Sequence, residues 1–348
     1  MTKDNYFDRK KTGYLNPLRV YACIAIILFH IFSIIVSSFG TSITENEKYI
    51  SLLVRNICLW RVPAFVMISG VLFLNKEKEI SIKKLWLKYI SRIVLALLLF
   101  GIPFAFMEIY YDAHYKFNIG QIGSAVLNVF QGNLWDHMWY LYMLTGLYIL
   151  LPLFKIFIYY ADRKTLEYVL SILFIFTSLI PAFTDIFSFK FGFYIPISSV
   201  FVFYLLLGHY IHQYNLRVNN KSLLFLVLLY VLYVVLMALN KEFVNSNGSI
   251  IGLTFSSPLV VMAVLCVFCF FRQYVSTNKV YEFISPLTFG MYLIHPLLIN
   301  LFIKFIKFTP EKYPFTVVVL VIFLVTIMFS FFFTIVARKI KILSKYIL

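Results

Sequence analysis

Apolar and polar positions alternate on a long scale along this chain. Runs of about twenty apolar residues are separated by short polar gaps. A run of that length matches one helical crossing of a bilayer's hydrocarbon core. Ten spans are expected, at 15–38, 50–74, 89–111, 137–158, 166–186, 196–214, 222–240, 252–272, 284–306 and 315–337. The pattern predicts an all-α integral membrane protein of about ten transmembrane helices. One membrane domain fills 1–348, with a short amino-terminal segment 1–14 and a tail 338–348. The first run is too long for a cleavable signal peptide, and no small-residue cleavage site follows it. The largest gap, 112–136, carries "IGSAVLNVF" at its centre, which suits a short interfacial helix.

Composition agrees: 61% of residues are hydrophobic and only 13% charged, against about 25% charged in a soluble domain. The net charge of +16 invites a nucleic-acid partner, but topology explains it better. An even number of spans puts both termini on one side. With that side in the cytoplasm, well over half of the 31 lysines and arginines fall there, in "DNYFDRKK", "NKEKEISIKKLWLK", "ADRKT", "NLRVNNK" and "ARKIKILSK". This asymmetry predicts both ends inside. Basic inner loops also suit anionic lipid or an anionic cytoplasmic ligand, and no nucleic acid is called for. The cysteines Cys23, Cys58, Cys266 and Cys269 all sit in apolar runs. The CxxC spacing in "LCVFCFF" has no second pair, so these read as small buried hydrophobes and no metal site is expected.

Titratable groups inside spans are costly and mark function by default. Arg19, His30, Arg55, Arg61, His137 and His295 need explaining on that ground. Arg19 and His30 are eleven residues apart, close to three helical turns. They share a face and stand roughly 16 Å apart along the axis. An arginine at the inner surface can grip a phosphate, and a histidine deeper in can take and return a proton. A ligand with a phosphate-rich head and a long thin arm, such as acyl coenzyme A, matches that spacing. The plainer reading is a snorkelling arginine and a hydrogen-bonded core histidine. Arg55 and Arg61 are six apart, which is not one helical face, so one of them would serve structure only. His137 reads equally as an interface histidine. Pro296, directly after His295, frees a backbone carbonyl one turn earlier. Pro63 with the small pair Ser69–Gly70 suits close helix packing or a thin acyl channel.

These pieces together resemble the integral membrane acyltransferase-3 family, which includes O-acetyltransferases of bacterial surface polysaccharides. The signature of arginine, ten residues, then histidine stands here as Arg19 and His30. The second-span pattern appears as Pro63, Phe65, Ser69 and Gly70. The fourth-span run appears as Trp139, Tyr140, Leu141, Tyr148 and Pro152, with His137 just before it. "FYLLLGHYI" resembles a later segment, and "FGMYLIHP" resembles the late segment that holds Tyr292 and His295. Two features depart from the pattern. A paired R-x-x-R is common at the start of the third span; here Arg92 matches the second position and Tyr89 replaces the first, with Lys88 beside it. Some relatives also carry an extracytoplasmic domain that finishes the transfer; this chain would use its own outer face or a separate partner.

The resemblance implies transfer of an acyl group, most simply acetyl, from cytoplasmic acetyl-CoA to a hydroxyl of a surface or lipid-linked glycan. The place would be a bacterial plasma membrane, crossed many times. Arg19, Lys88 and Arg92 would anchor the donor phosphates. His30 would act as general base or as nucleophile. Arg55, Arg61 or His295 would stabilise the thioester oxyanion. Ser69, His137, Trp139 and Tyr292 complete the expected donor and substrate contacts. The rival class is a transporter or a polysaccharide polymerase. A transporter commonly shows repeated halves with matching broken helices, and no such pairing is visible. A polymerase is expected to carry a larger outer loop.

Overall fold

The computed structural model describes residues 12–77, 80–114, 116–135, 137–187, 192–197, 199–239 and 253–348. Most of the expected segment 1–14 therefore lies outside the described residues, as do positions 115 and 136 of the 112–136 connection and the ends 240 and 252 of two expected spans. Among the described residues the chain is helical, with no strand.

Every expected span falls on a helical segment. Helix α1 covers Leu15–Phe39. Helices α2 (Glu45–Ile57) and α3 (Arg61–Phe73) form one span, interrupted by a 3₁₀ turn at Cys58–Trp60. Helix α4 (Ser91–Asp112) follows a π turn at Leu85–Ile90. Helix α5 (Gly120–Gln131) is the short helix expected in the large connection. Helices α6 (Trp139–Ile149) and α7 (Leu151–Tyr160) meet at a bend of 49°. Apart from single turns at Ile82–Lys84 and Ser285–Leu287 and π segments at Ile175–Leu179 and Leu301–Phe305, the further described helices are α8 (Arg163–Phe174), α9 (Ile180–Phe187), α10 (Val200–Gln213), α11 (Asn220–Leu239), α12 (Pro258–Tyr274), α13 (Lys279–Ile284), α14 (Thr288–Asn300), α15 (Phe315–Ala337) and α16 (Lys341–Tyr346). Seven stretches are long and apolar enough to cross a membrane, or eight if α6 and α7 are one bent span. Helices α10 and α12 are apolar but shorter, at 14 and 17 residues.

Local chemistry sets the ends. Thr44 and Glu47 form a reciprocal capping box that starts α2, the Thr44 amide donating to Glu47 Oε2 at 2.7 Å. The Asp162 carboxylate accepts the Thr165 amide at 2.7 Å to start α8, and that bonding holds it below the usual carboxylate range. Pro63 sits in the first turn of α3, where its missing N–H costs nothing. Lys155 donates to the carbonyls of Phe73 and Asn75, closing the carboxyl end of α3.

Helix α3 packs most extensively on α10, and two glycines make that possible. A Cβ on Gly70 would lie 1.9 Å from the Leu205 carbonyl oxygen, and one on Gly208 would lie 2.3 Å from that of Met67. The backbones therefore touch, as small residues allow between membrane helices. Helix α3 is buried almost all round, and α1 packs against it, α2, α14 and α15. Helices α11 and α15 keep many of their large apolar side chains exposed, which is how a helix facing lipid reads. The end of the bundle that carries the start of α1 is called the inner end below.

Candidate active site

Three imidazoles meet in the interior from three separate segments. His30 comes from α1, His137 from the turn before α6, and His295 from α14. Ring centroids lie 5.2 Å apart for His30–His295, 5.6 Å for His137–His295 and 6.3 Å for His30–His137. His137 and His295 are 3% and 0% exposed. Tyr292 completes the group. Its ring stands 5.6 Å from His137, and its hydroxyl donates to the His137 carbonyl.

Pro296 explains how His295 is held. A proline at 296 has no N–H to give the carbonyl of residue 292, four positions back. Nδ1 of His295 takes that vacant acceptor at 2.7 Å. A carbonyl only accepts, so the proton is on Nδ1. Nε2 of the neutral ring then carries a lone pair. It is buried and has no partner among the described residues. Neither ring nitrogen of His137 has a hydrogen-bond partner of ordinary geometry there either.

The two arginines of the second span also converge, which corrects the expectation that they diverge. In a straight α-helix six residues leave two side chains about 120° apart; three of those residues wound as a 3₁₀ turn reduce this to about 60°. The turn at Cys58–Trp60 does that. Both guanidinium groups then face Phe29, the neighbour of His30: Arg61 at 3.4 Å from the ring centroid, Arg55 at 5.6 Å. Flat stacking on an aromatic face suits a buried guanidinium. Arg61 is 4% exposed, donates Nη1 to the Cys58 carbonyl at 3.1 Å, and keeps an Nε–H without an acceptor among the described residues. Both arginines lie within electrostatic range of His30.

Below this cluster the spacing of Arg19 and His30 has a counterpart. His30 faces His137, and Arg19 lies within electrostatic range of Tyr140 and Tyr148. His137 and Tyr148 are again eleven residues apart, on a segment running the other way. Ser69 shares a hydrogen bond of 3.2 Å with the Tyr148 hydroxyl. The structure thus places Arg19, Ser69 and Tyr148 together, about three turns inward of the imidazoles. Lys88 and Arg92 lie further toward the inner end, on either side of Tyr89, which meets Phe73 as Tyr148 does. Lys88 is exposed, 5.8 Å from the Tyr89 ring, and Arg92 donates Nε to the Ile347 carbonyl at 2.6 Å. Trp139 is one ring removed, in a cluster of tilted rings with Phe201 and Phe255, and Phe255 is 5.8 Å from Arg61.

Sequence reasoning missed the outer frame of the site. Glu108 accepts from Lys304 at 2.6 Å and from Trp135 Nε1 at 2.9 Å. Trp135 stacks on Phe104 at 4.6 Å, and Phe104 stands 5.9 Å from His137. A carboxylate near the end of α4 opposite the basic end of the ninth span was the only available signal. Among the described residues no group of three His, Cys, Asp or Glu side chains is arranged to hold a metal ion.

A family model described as an acyltransferase domain matches residues 12–335, nearly the whole chain. The chain belongs to the acyltransferase-3 family. No curated protein and no solved structure matches it. The matched region contains every residue of the site above. The chain is thus a multi-pass membrane acyltransferase, working in a lipid setting on an acyl donor and an acceptor. Chemically, the site offers an imidazole lone pair, a second imidazole 5.2 Å away and a buried guanidinium N–H. Acyl transfer needs a base and an oxyanion donor, and these are groups of the chemical types that such roles require.

Proposed function

We propose that this protein moves an acyl group, most simply acetyl, from cytoplasmic acyl-CoA to a hydroxyl of a cell-surface or lipid-linked glycan at a bacterial plasma membrane. The observation that carries the reading is the meeting of His30, His137 and His295 beside Arg61, on the same face of α1 as Arg19. Arg19 holds the donor toward the inner end, assisted by Lys88 and Arg92. The thioester reaches the imidazoles. An acceptor hydroxyl loses its proton to an imidazole while its oxygen attacks the thioester carbonyl. The C–O bond forms, the C–S bond breaks, and the departing thiolate receives the proton.

His295 in its neutral form presents a lone pair, so it belongs with the acceptors of protons rather than the oxyanion donors. Arg61, with its Nε–H, is the better oxyanion donor. His30 stands beside His295 as base or as a transient acyl carrier. Ser69, through Tyr148, and Tyr292 shape the path and brace the imidazoles.

Compositional analysis of surface glycans from cells with and without the protein tests the reading. Loss of ester-linked acetyl, with glycan length and amount unchanged, is expected. A loss of polymer length, or of exported glycan altogether, would instead identify the polymerase or transporter class.

A further inference from the structure

A large polar cavity opens at the inner end, on the flank of α3 away from the residue pair Ser69–Tyr148. It encloses about 1400 Å³ between the ends of α1, α3, α10 and α12. That is larger than a typical small-ligand cleft. Among the described residues its ionic lining is Arg217 and Arg272 with one carboxylate, Glu77, and His209 and His212 stand beside them. The loop that carries Arg217 is fastened down. Arg272 donates to the Leu216 carbonyl at 2.9 Å and to Asn215 at 2.5 Å, and Gln273 bonds both backbone groups of Val218. Arg217 itself is exposed and makes no hydrogen bond or ion pair among the described residues. His209 is 2% exposed, lines the cavity and has no hydrogen-bond partner among them. Lys76 and Lys155 lie within electrostatic range of His209. A positive, rigid hollow of this kind selects a phosphate.

A second hollow adjoins it. This groove of about 600 Å³ runs between α11 and α12, lined by Leu223, Leu224, Val227, Val267 and Phe270. Asn220 and Tyr274 line both hollows, and the Tyr274 hydroxyl donates to the Asn220 side chain at the seam between them. From those shared residues the groove climbs the two helices for seven or eight residues, about 10–12 Å into the membrane. Its walls include side chains that are otherwise exposed on the lipid-facing surface: Leu224 is 61% and Phe270 43% exposed.

We propose that the two adjoining hollows form a site for one anionic membrane phospholipid, its phosphate head in the basic cavity and an acyl chain in the groove, passing over the Asn220–Tyr274 seam. The adjacency of a basic hollow and an apolar one argues for an amphiphile over a free nucleotide, which would leave the groove unfilled. The depth agrees, since basic pockets between helices on the cytoplasmic side suit anionic headgroups. The site lies outside the imidazole cluster and does not depend on the proposed glycan chemistry.

The test uses the full-length protein purified in detergent, titrated separately with phosphatidylglycerol and phosphatidylcholine of matched chains. Native mass spectrometry reads the first lipid bound. Phosphatidylglycerol is expected to bind more tightly. Arg217→Glu should weaken phosphatidylglycerol by about five-fold or more, the worth of one cation near a headgroup, and leave phosphatidylcholine unchanged. Val227→Trp, which fills the groove from a position already 38% exposed, should weaken phosphatidylglycerol as well. Equal binding of the two lipids, or indifference to either substitution, overturns the proposal. So does displacement of bound phosphatidylglycerol by coenzyme A, which would make the cavity a nucleotide site.

Discussion

Single side chains decide the chemistry, and His295 is the clearest case. Its orientation depends on a hydrogen bond that exists because Pro296 withholds one. Pro296→Ala restores a backbone N–H that competes for the Tyr292 carbonyl. The protein should stay folded, with acyl transfer falling at least ten-fold as the Nδ1 anchor is lost; a steady-state assay beside a melting curve checks this. A variant that is equally active would show that the carbonyl does not position the ring. His295→Gln should lower turnover by about 10²-fold or more, the scale on which a general base contributes. Arg61→Lys keeps a charge but loses the planar stack on Phe29 and the Nε–H. Its turnover should fall by about 10²-fold, the scale of one lost oxyanion donor, with donor affinity little changed. A rise in KM alone would assign Arg61 to binding instead. Burial of His30 and His295 was readable from the chain, because both stood inside apolar runs; that of His137 was not, since it follows the polar "GNLWD" and read equally as an interface histidine. The frame around them was not readable either: Glu108, Trp135 and Lys304 are joined only by folding, from positions far apart in sequence.

Helices carry those side chains to one place, and two local devices matter most. The 3₁₀ turn at Cys58–Trp60 rotates Arg55 toward Arg61, and "CLW" contains neither proline nor glycine to announce it. That is why the six-residue spacing misled. The other device, the Gly70–Gly208 contact of α3 with α10, was half legible. The small pair Ser69–Gly70 signalled a close approach, but not which helix approaches. Gly70→Ala drives a methyl group into the Leu205 carbonyl, backbone that cannot swing aside. Overpacking of this kind costs about 1–3 kcal/mol or more. The thermal midpoint of the purified variant should drop by several degrees; an unchanged midpoint would mean the two helices separate freely.

Across the whole molecule the spans were the most legible feature, since a membrane demands long apolar helices and leaves little latitude in where they begin. Short and bent segments were harder. Helices α10 and α12 fall below the length of a full crossing, and α6–α7 breaks at a bend of 49°. What unites the molecule is a pair of polar groups on one face of α1, each with a counterpart on the segment 137–148: Arg19 within electrostatic range of Tyr148, and His30 facing His137. The most direct measurement of that arrangement is transfer of label from radioactive acetyl-CoA to isolated surface glycan by the purified protein and by its His30→Ala variant. The intact protein should label the glycan, and the folded variant should not do so above background. Labelling by the variant at a rate near that of the intact protein would contradict the reading.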